Sequence, residues 1–109
     1  MPDETRPPKP PSTYRDFVAR FPALGDAWES ARTAEKAGPF DHKTRRLMKL
    51  AVAVGAMREG AVHSATRKAR AAGATDDELY QTVALAASTL GFPSTVAVYS
   101  WVTDTLEED

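Results

Sequence analysis

The sequence predicts an all-α protein, a compact bundle of about six helices behind a disordered, proline-rich tail over residues 1–11. Three observations predict it. Apolar residues recur at the i, i+3, i+4, i+7 spacing of a helix that buries one stripe. Capping residues and Gly or Pro stops separate those stripes into helix-sized segments. No run of alternating apolar and polar residues marks a strand hairpin, and no segment repeats another.

Residues 1–11 carry five prolines among charged residues, a composition that favours extended polyproline geometry and buries no apolar area. The rest, 12–109, is expected to form a single helical domain. Ser12 is placed to cap a short helix through Tyr14, Phe17, Val18 and Phe21, and Pro22 ends it because its ring clashes with a continuing helix. A second helix runs to about Ala37, where Gly38-Pro39 is a strong stop. Asp41 is placed to cap a third helix with the stripe Leu47, Leu50, Ala51 and Val54. A break is expected between Gly55 and Gly60. The fourth helix then continues to Ala72 on a small apolar face of Val62, Ala65, Ala69 and Ala72, with Gly73 as its C-cap. Thr75-Asp76-Asp77-Glu78 is a capping box: hydroxyl and carboxylate satisfy each other's orphan amides, and the aspartates suit the helix dipole. The fifth helix it opens carries Leu79, Val83, Ala86, Ala87 and Leu90 and closes at Gly91, before Phe92-Pro93. The last helix carries Val96, Val98, Tyr99, Trp101, Val102 and Leu106.

Small side chains concentrated in helices three to five let helix axes approach closely. The larger residues Trp28, Phe40, Phe92, Tyr99 and Trp101 are expected chiefly to plug the core, with pocket lining as the alternative. Met48 and Met57 are expected to fill core gaps. A domain of this size buries only about 60–70 % of its unfolded surface, so part of its apolar set is expected against neighbouring subunits.

Fourteen basic and fifteen acidic residues leave a net charge of −1, which supplies no field to attract nucleic acid or an anionic membrane; neither is an expected partner. The chain has no cysteine, which excludes disulfides, Cys metal sites and Cys nucleophiles. A metal centre is not expected either, since His42 and His63 fall on different helices and no cysteine ligand exists. Met1-Pro2-Asp3-Glu4-Thr5-Arg6 lacks the apolar run of a signal peptide, and no stretch approaches the ~20 apolar residues of a membrane span; residence in the cytoplasm is the expectation.

Glu59, His63 and Arg67 stand at i, i+4 and i+8, so a regular fourth helix puts them on one face. A neutral His63 could exchange a proton near pH 7, Glu59 could hold its tautomer, and Arg67 could pair with a substrate carboxylate. The alternative is a solvated face whose ion pairs give about 0.2–0.5 kcal/mol each, or contacts that fasten subunits together. His42 follows an N-cap and is expected to face solvent. Ser64 directly follows His63 and so points elsewhere on the helix, which disfavours a Ser-His nucleophile pair.

Asp41-His42-Lys43-Thr44-Arg45-Arg46-Leu47, Arg58-Glu59-Gly60-Ala61-Val62-His63-Ser64, Ala71-Ala72-Gly73-Ala74-Thr75 with Glu78, and Gly91-Phe92-Pro93 occur in this order and spacing. With them the stretch from Phe40 to Val102 resembles the carboxymuconolactone decarboxylase and alkylhydroperoxidase-D-like family. The resemblance implies an all-α subunit that assembles as a trimer or a dimer of trimers, with pockets near subunit contacts. Peroxidase members of that family resemble one another in a glutamate on the long helix, two cysteines three apart, and a histidine four residues after the second. By position those four become Arg46, Arg58, Ala61 and Ala65 here. A peroxidatic site needs a thiolate, a resolving thiol and a base, so this chain is expected to be a member without thiol peroxidase activity. Decarboxylase members resemble the peroxidases in keeping a histidine at the place taken by Ala65. Arg46 and Arg58 in place of a carboxylate and a thiol suggest a pocket turned cationic, which favours a small anionic ligand; both read equally as surface residues.

The expected function is cofactor-independent acid/base chemistry, decarboxylation or isomerisation, on a small organic acid or lactone. His63 and Glu59 are the candidate catalytic pair, and Arg67, Arg58 and Arg46 the candidate anion holders. The alternative is a non-catalytic oligomeric binding or scaffold protein that kept the fold.

Overall fold

The computed structural model describes residues 12–108, so the tail expected over 1–11 lies outside the described residues. Seven helices and no strand occur among the described residues. Residues 12–40 and 41–108 belong to two compact units.

The first unit is a helix pair, α1 (Ser12–Arg20) and α2 (Pro22–Lys36). Ser12 is already helical rather than the residue before the helix. Pro22 ends one helix and opens the next, because the N–H it lacks has no partner in a first turn anyway. The helices touch closely at Gly25, where an added Cβ would lie 3.2 Å from Val18 Cβ. Phe17 and Phe21 stack at 5.4 Å between ring centroids. Together with Leu24 and Trp28 they remain about half exposed.

The second unit is a bundle of α3 (His42–Gly55), α4 (Glu59–Ala71), α5 (Asp76–Ala84), α6 (Ala87–Leu90) and α7 (Phe92–Glu107). The capping signals form as the sequence predicts. Asp41 Oδ1 accepts the Thr44 N–H at 2.7 Å. Thr75 and Glu78 complete the reciprocal box at 3.1 and 2.9 Å. Gly73, at φ +100°, closes α4 in a Schellman turn, with Ala74 N–H donating to Ala69 O and Gly73 N–H to Arg70 O, both at 3.0 Å.

The end of α3 repeats that turn with a different residue. Arg58 N–H donates to Ala53 O at 3.3 Å and Met57 N–H to Val54 O at 3.0 Å. The left-handed position is therefore Met57, at φ +54°, and neither Gly55 nor Gly60. The fifth helix also differs from its sequence pattern. It tightens at Leu85-Ala86, where Ala86 N–H donates to Val83 O at 3.0 Å, so α6 is a separate turn before Gly91. Gly91 adopts φ 86°, ψ 162°, a region essentially confined to glycine.

α4 packs against α3 and α7, and α5 packs against the same two, so four helices enclose one core. That core contains Leu50 and Val54 of α3, Val62 and Ala69 of α4, Leu79 and Val83 of α5, and Val98 and Val102 of α7. Ala53, not Ala51, completes the buried stripe of α3. At edges of the core, Tyr80 stacks on Tyr99 at 5.3 Å and reaches Thr103 at 3.3 Å, while Lys43 pairs with Glu78 at 3.0 Å. Of the aromatic residues expected to plug the core, Trp101 packs on it; Trp28, Phe40, Phe92 and Tyr99 are exposed, as are Met48 and Met57.

Candidate functional site

α4 opens at Arg58, an exposed N-cap residue without a capping side-chain bond, and Glu59 provides the acidic first-turn residue that suits the helix dipole. From there the helix is regular, and the i, i+4 spacing brings Glu59 and His63 together. Glu59 Oε2 lies 3.3 Å from His63 Nε2, with the Glu59 side chain 60 % exposed and that of His63 21 % exposed.

The other ring nitrogen faces α7. His63 Nδ1 is in hydrogen-bond contact with Thr105 Oγ1, a residue buried in the helix interface, and the Thr105 hydroxyl donates to Trp101 O at 2.9 Å. Both nitrogens of His63 are thus engaged, one by an exposed carboxylate and one by a buried hydroxyl. Sequence reasoning placed Glu59 beside His63 and missed Thr105. The signal for it is faint: Thr95, Val98, Val102 and Thr105 form the buried stripe of α7, in which two positions carry hydroxyls.

Arg67, one turn beyond His63, is engaged by Glu108 at the end of α7. Its Nε donates to Oε2 at 3.3 Å and its Nη2 to both carboxylate oxygens at 3.0 and 2.9 Å. Arg70 adds a bond to Leu106 O at 3.4 Å, so His63, Arg67 and Arg70 of α4 all reach the C-terminal end of α7. The remaining anion-holding candidates are more dispersed. Arg58 is next to Glu59 at the start of the helix, and Arg46 is half-buried on α3. Ala61 is exposed and Ala65 packs on the core, so the two alanines standing at the positions discussed above provide no polar group to the site. His42 is exposed, its Nδ1 accepting from Arg45 Nη2 at 2.9 Å.

Chemically, the strip offers an imidazole held at both nitrogens, an exposed carboxylate beside one of them, and a guanidinium fork one turn away. Among the described residues, no group of three or more His, Asp or Glu side chains is arranged to hold a metal ion, and no helix is long and apolar enough to cross a membrane.

No curated protein matches the chain. The carboxymuconolactone decarboxylase family model matches residues 22–104, which span α2 to most of α7. With three quarters of its length inside that match, and an all-helical fold without a cysteine, the chain belongs to the carboxymuconolactone decarboxylase family.

Proposed function

We propose that this family member is a cofactor-independent enzyme performing acid/base chemistry, decarboxylation or isomerisation, on a small organic acid or lactone, without thiol peroxidase activity. The observation that supports it is His63: its ring is oriented from both sides yet keeps part of its edge in solvent. A general base needs both properties, a fixed direction and access to the proton it takes.

In an isomerisation, His63 removes a proton from the carbon beside the substrate's carboxylate or lactone carbonyl, and the electron pair delocalises onto that carbonyl. The Glu59 carboxylate stabilises the imidazolium, which exchanges its proton with solvent and returns one at a conjugated carbon. In a decarboxylation, the carbon–carbon bond to the leaving carboxylate breaks, and the imidazolium gives its proton to the carbon left behind. Arg67, Arg58 and Arg46 are the candidate holders of the substrate's anionic end, through charge-assisted hydrogen bonds.

We place the protein in the cytoplasm as a homo-oligomer, a trimer or hexamer. Within the bundle unit, Met48, Val52, Leu85, Phe92, Val96 and Tyr99 all stay exposed, an apolar set that a second subunit would cover. A second reading, a non-catalytic binding or scaffold protein, has its own support: the fork of Arg67 is already filled by Glu108.

Proton NMR in deuterated water separates the two. Enzyme action gives deuterium incorporation beside the carbonyl, or loss of carbon dioxide, for some member of a panel of small carboxylic acids and lactones. His63→Gln lowers that rate about 10²- to 10⁴-fold. If no panel member exchanges, reacts or perturbs the His63 resonances, the scaffold reading stands.

A further inference from the structure

We propose that Thr105, rather than Glu59, sets the tautomer of His63, holding the proton of the neutral ring on Nδ1 and leaving Nε2 as the basic nitrogen.

A threonine hydroxyl has one proton and two lone pairs. That of Thr105 donates its proton to Trp101 O at 2.9 Å, four residues back in α7. The oxygen then meets His63 Nδ1 with lone pairs only, so the contact is a hydrogen bond when Nδ1 carries the hydrogen. The hydroxyl's orientation is not incidental: Thr66, Thr82 and Thr95 each donate to the carbonyl four residues back as well, at 2.8, 2.9 and 2.8 Å. Thr105 is 4 % exposed, so water does not compete for it.

Glu59 pulls the other way. As an acceptor it favours a hydrogen on Nε2, but it acts at 3.3 Å from a side chain 60 % exposed, where solvent screens the interaction and the side chain is free to turn away. The buried contact outweighs the exposed one in setting the neutral form. Glu59 takes its part once Nε2 has accepted a proton, because the imidazolium then donates to both neighbours. Nε2 is accordingly the atom that a substrate proton reaches, and Thr105 is a positioning residue. The proton balance is simple: substrate C–H loses its proton to Nε2, and Nδ1 keeps its own throughout.

The catalytic consequence rests on the acid/base reading of His63, whereas the tautomer itself does not. The test is therefore a two-bond proton–nitrogen correlation spectrum of the ¹⁵N-labelled full chain, recorded where His63 is neutral. The wild type is expected to show about a tenfold excess of the Nδ1–H form, the ratio that one net hydrogen bond sustains. Thr105→Ser keeps that ratio. Thr105→Val and Thr105→Ala lose it, while Thr66→Val, which removes a buried hydroxyl that serves its own helix, leaves it unchanged. A wild-type ring protonated on Nε2 overturns the proposal. So does an unchanged ratio in whichever of Thr105→Val and Thr105→Ala keeps the dispersed amide spectrum of the fold. If a substrate is turned over, kcat drops in Thr105→Val and returns in Thr105→Ser at similar KM. A confirmed tautomer without turnover leaves the positioning standing and removes only the enzymatic reading.

Discussion

Arg67 of α4 grips Glu108 of α7 through Nε and Nη2, the two-pronged contact with which a guanidinium holds a carboxylate. Under the proposed function, in which Arg67 holds a substrate's anionic end, Glu108 is its internal competitor. Both side chains are 40–49 % exposed, so the pair contributes no more than about 0.2–1 kcal/mol and gives way easily. Glu108→Gln, which removes this internal competitor, is expected to tighten binding of acetate by about 1.5- to 5-fold, the same energy expressed as a ratio. Arg67→Ala abolishes the gain. Titration of the His63 ring resonances measures both, and equal affinities in wild type and Glu108→Gln would remove Arg67 from the anion holders.

Met57 occupies a left-handed C-terminal position that a residue with a Cβ enters at a cost of about 1–2 kcal/mol. Glycine avoids that strain but loses more chain entropy on folding, roughly 0.5–1 kcal/mol. The balance favours Met57→Gly by about 1 kcal/mol in chemical denaturation. Met57 is 37 % exposed, so the contacts of its covered part offset some of that gain. Unchanged or reduced stability would mean that the methionine side chain makes a contact worth the strain, as it would if covered in an oligomer.

Gly91 is the opposite case. Its φ of 86° with ψ of 162° is a conformation that costs other residues about 1–3 kcal/mol, although no atom would lie within 4 Å of an added Cβ. Gly91→Ala is expected to destabilise by about that amount, entirely through the backbone. The comparison is Gly55→Ala, at the last residue of α3 with equally open space, which raises stability by up to about 0.5–1 kcal/mol. Denaturant midpoints that move in the same direction for both would contradict this assignment.

The difference between Met57 and Gly91 also shows what the sequence could disclose. Asp41, Thr75 with Glu78, and Gly73 were legible because each cap bonds within a few residues of itself. The glycines at 55 and 60 pointed to the break, but nothing in the sequence marked Met57 as its left-handed residue. Nothing local marks the bend at Leu85-Ala86, where an alanine-rich run is as helical by propensity as what precedes it. In the candidate site, Glu59 and His63 share one helix and were readable as a pair. Thr105 and Glu108 come from the far end of the chain, some forty residues away, so only the packing of α4 on α7 brings them in. Both also lie beyond residue 104, where the family match ends.

Two carboxyls link the caps to acid stability. The Thr44 backbone N–H holds Asp41 below its ordinary range, and the Thr75 backbone N–H, then Lys43, hold Glu78 below its own. A depressed value means that the unfolded chain binds protons which the folded chain does not. The stabilisation is therefore complete above the ordinary carboxyl range of about pH 4 and is lost as pH falls through the lower folded values. Thermal melting between pH 6 and pH 2.5 is expected to show Tm falling most steeply below about pH 4. The double variant Asp41→Asn, Glu78→Gln tests the cause, because asparagine still caps a helix and glutamine still completes the box while neither titrates. Its Tm should be lower than wild type near pH 6 but should decline less on acidification, so the two curves converge. Parallel curves would assign the acid sensitivity to other carboxylates of the chain.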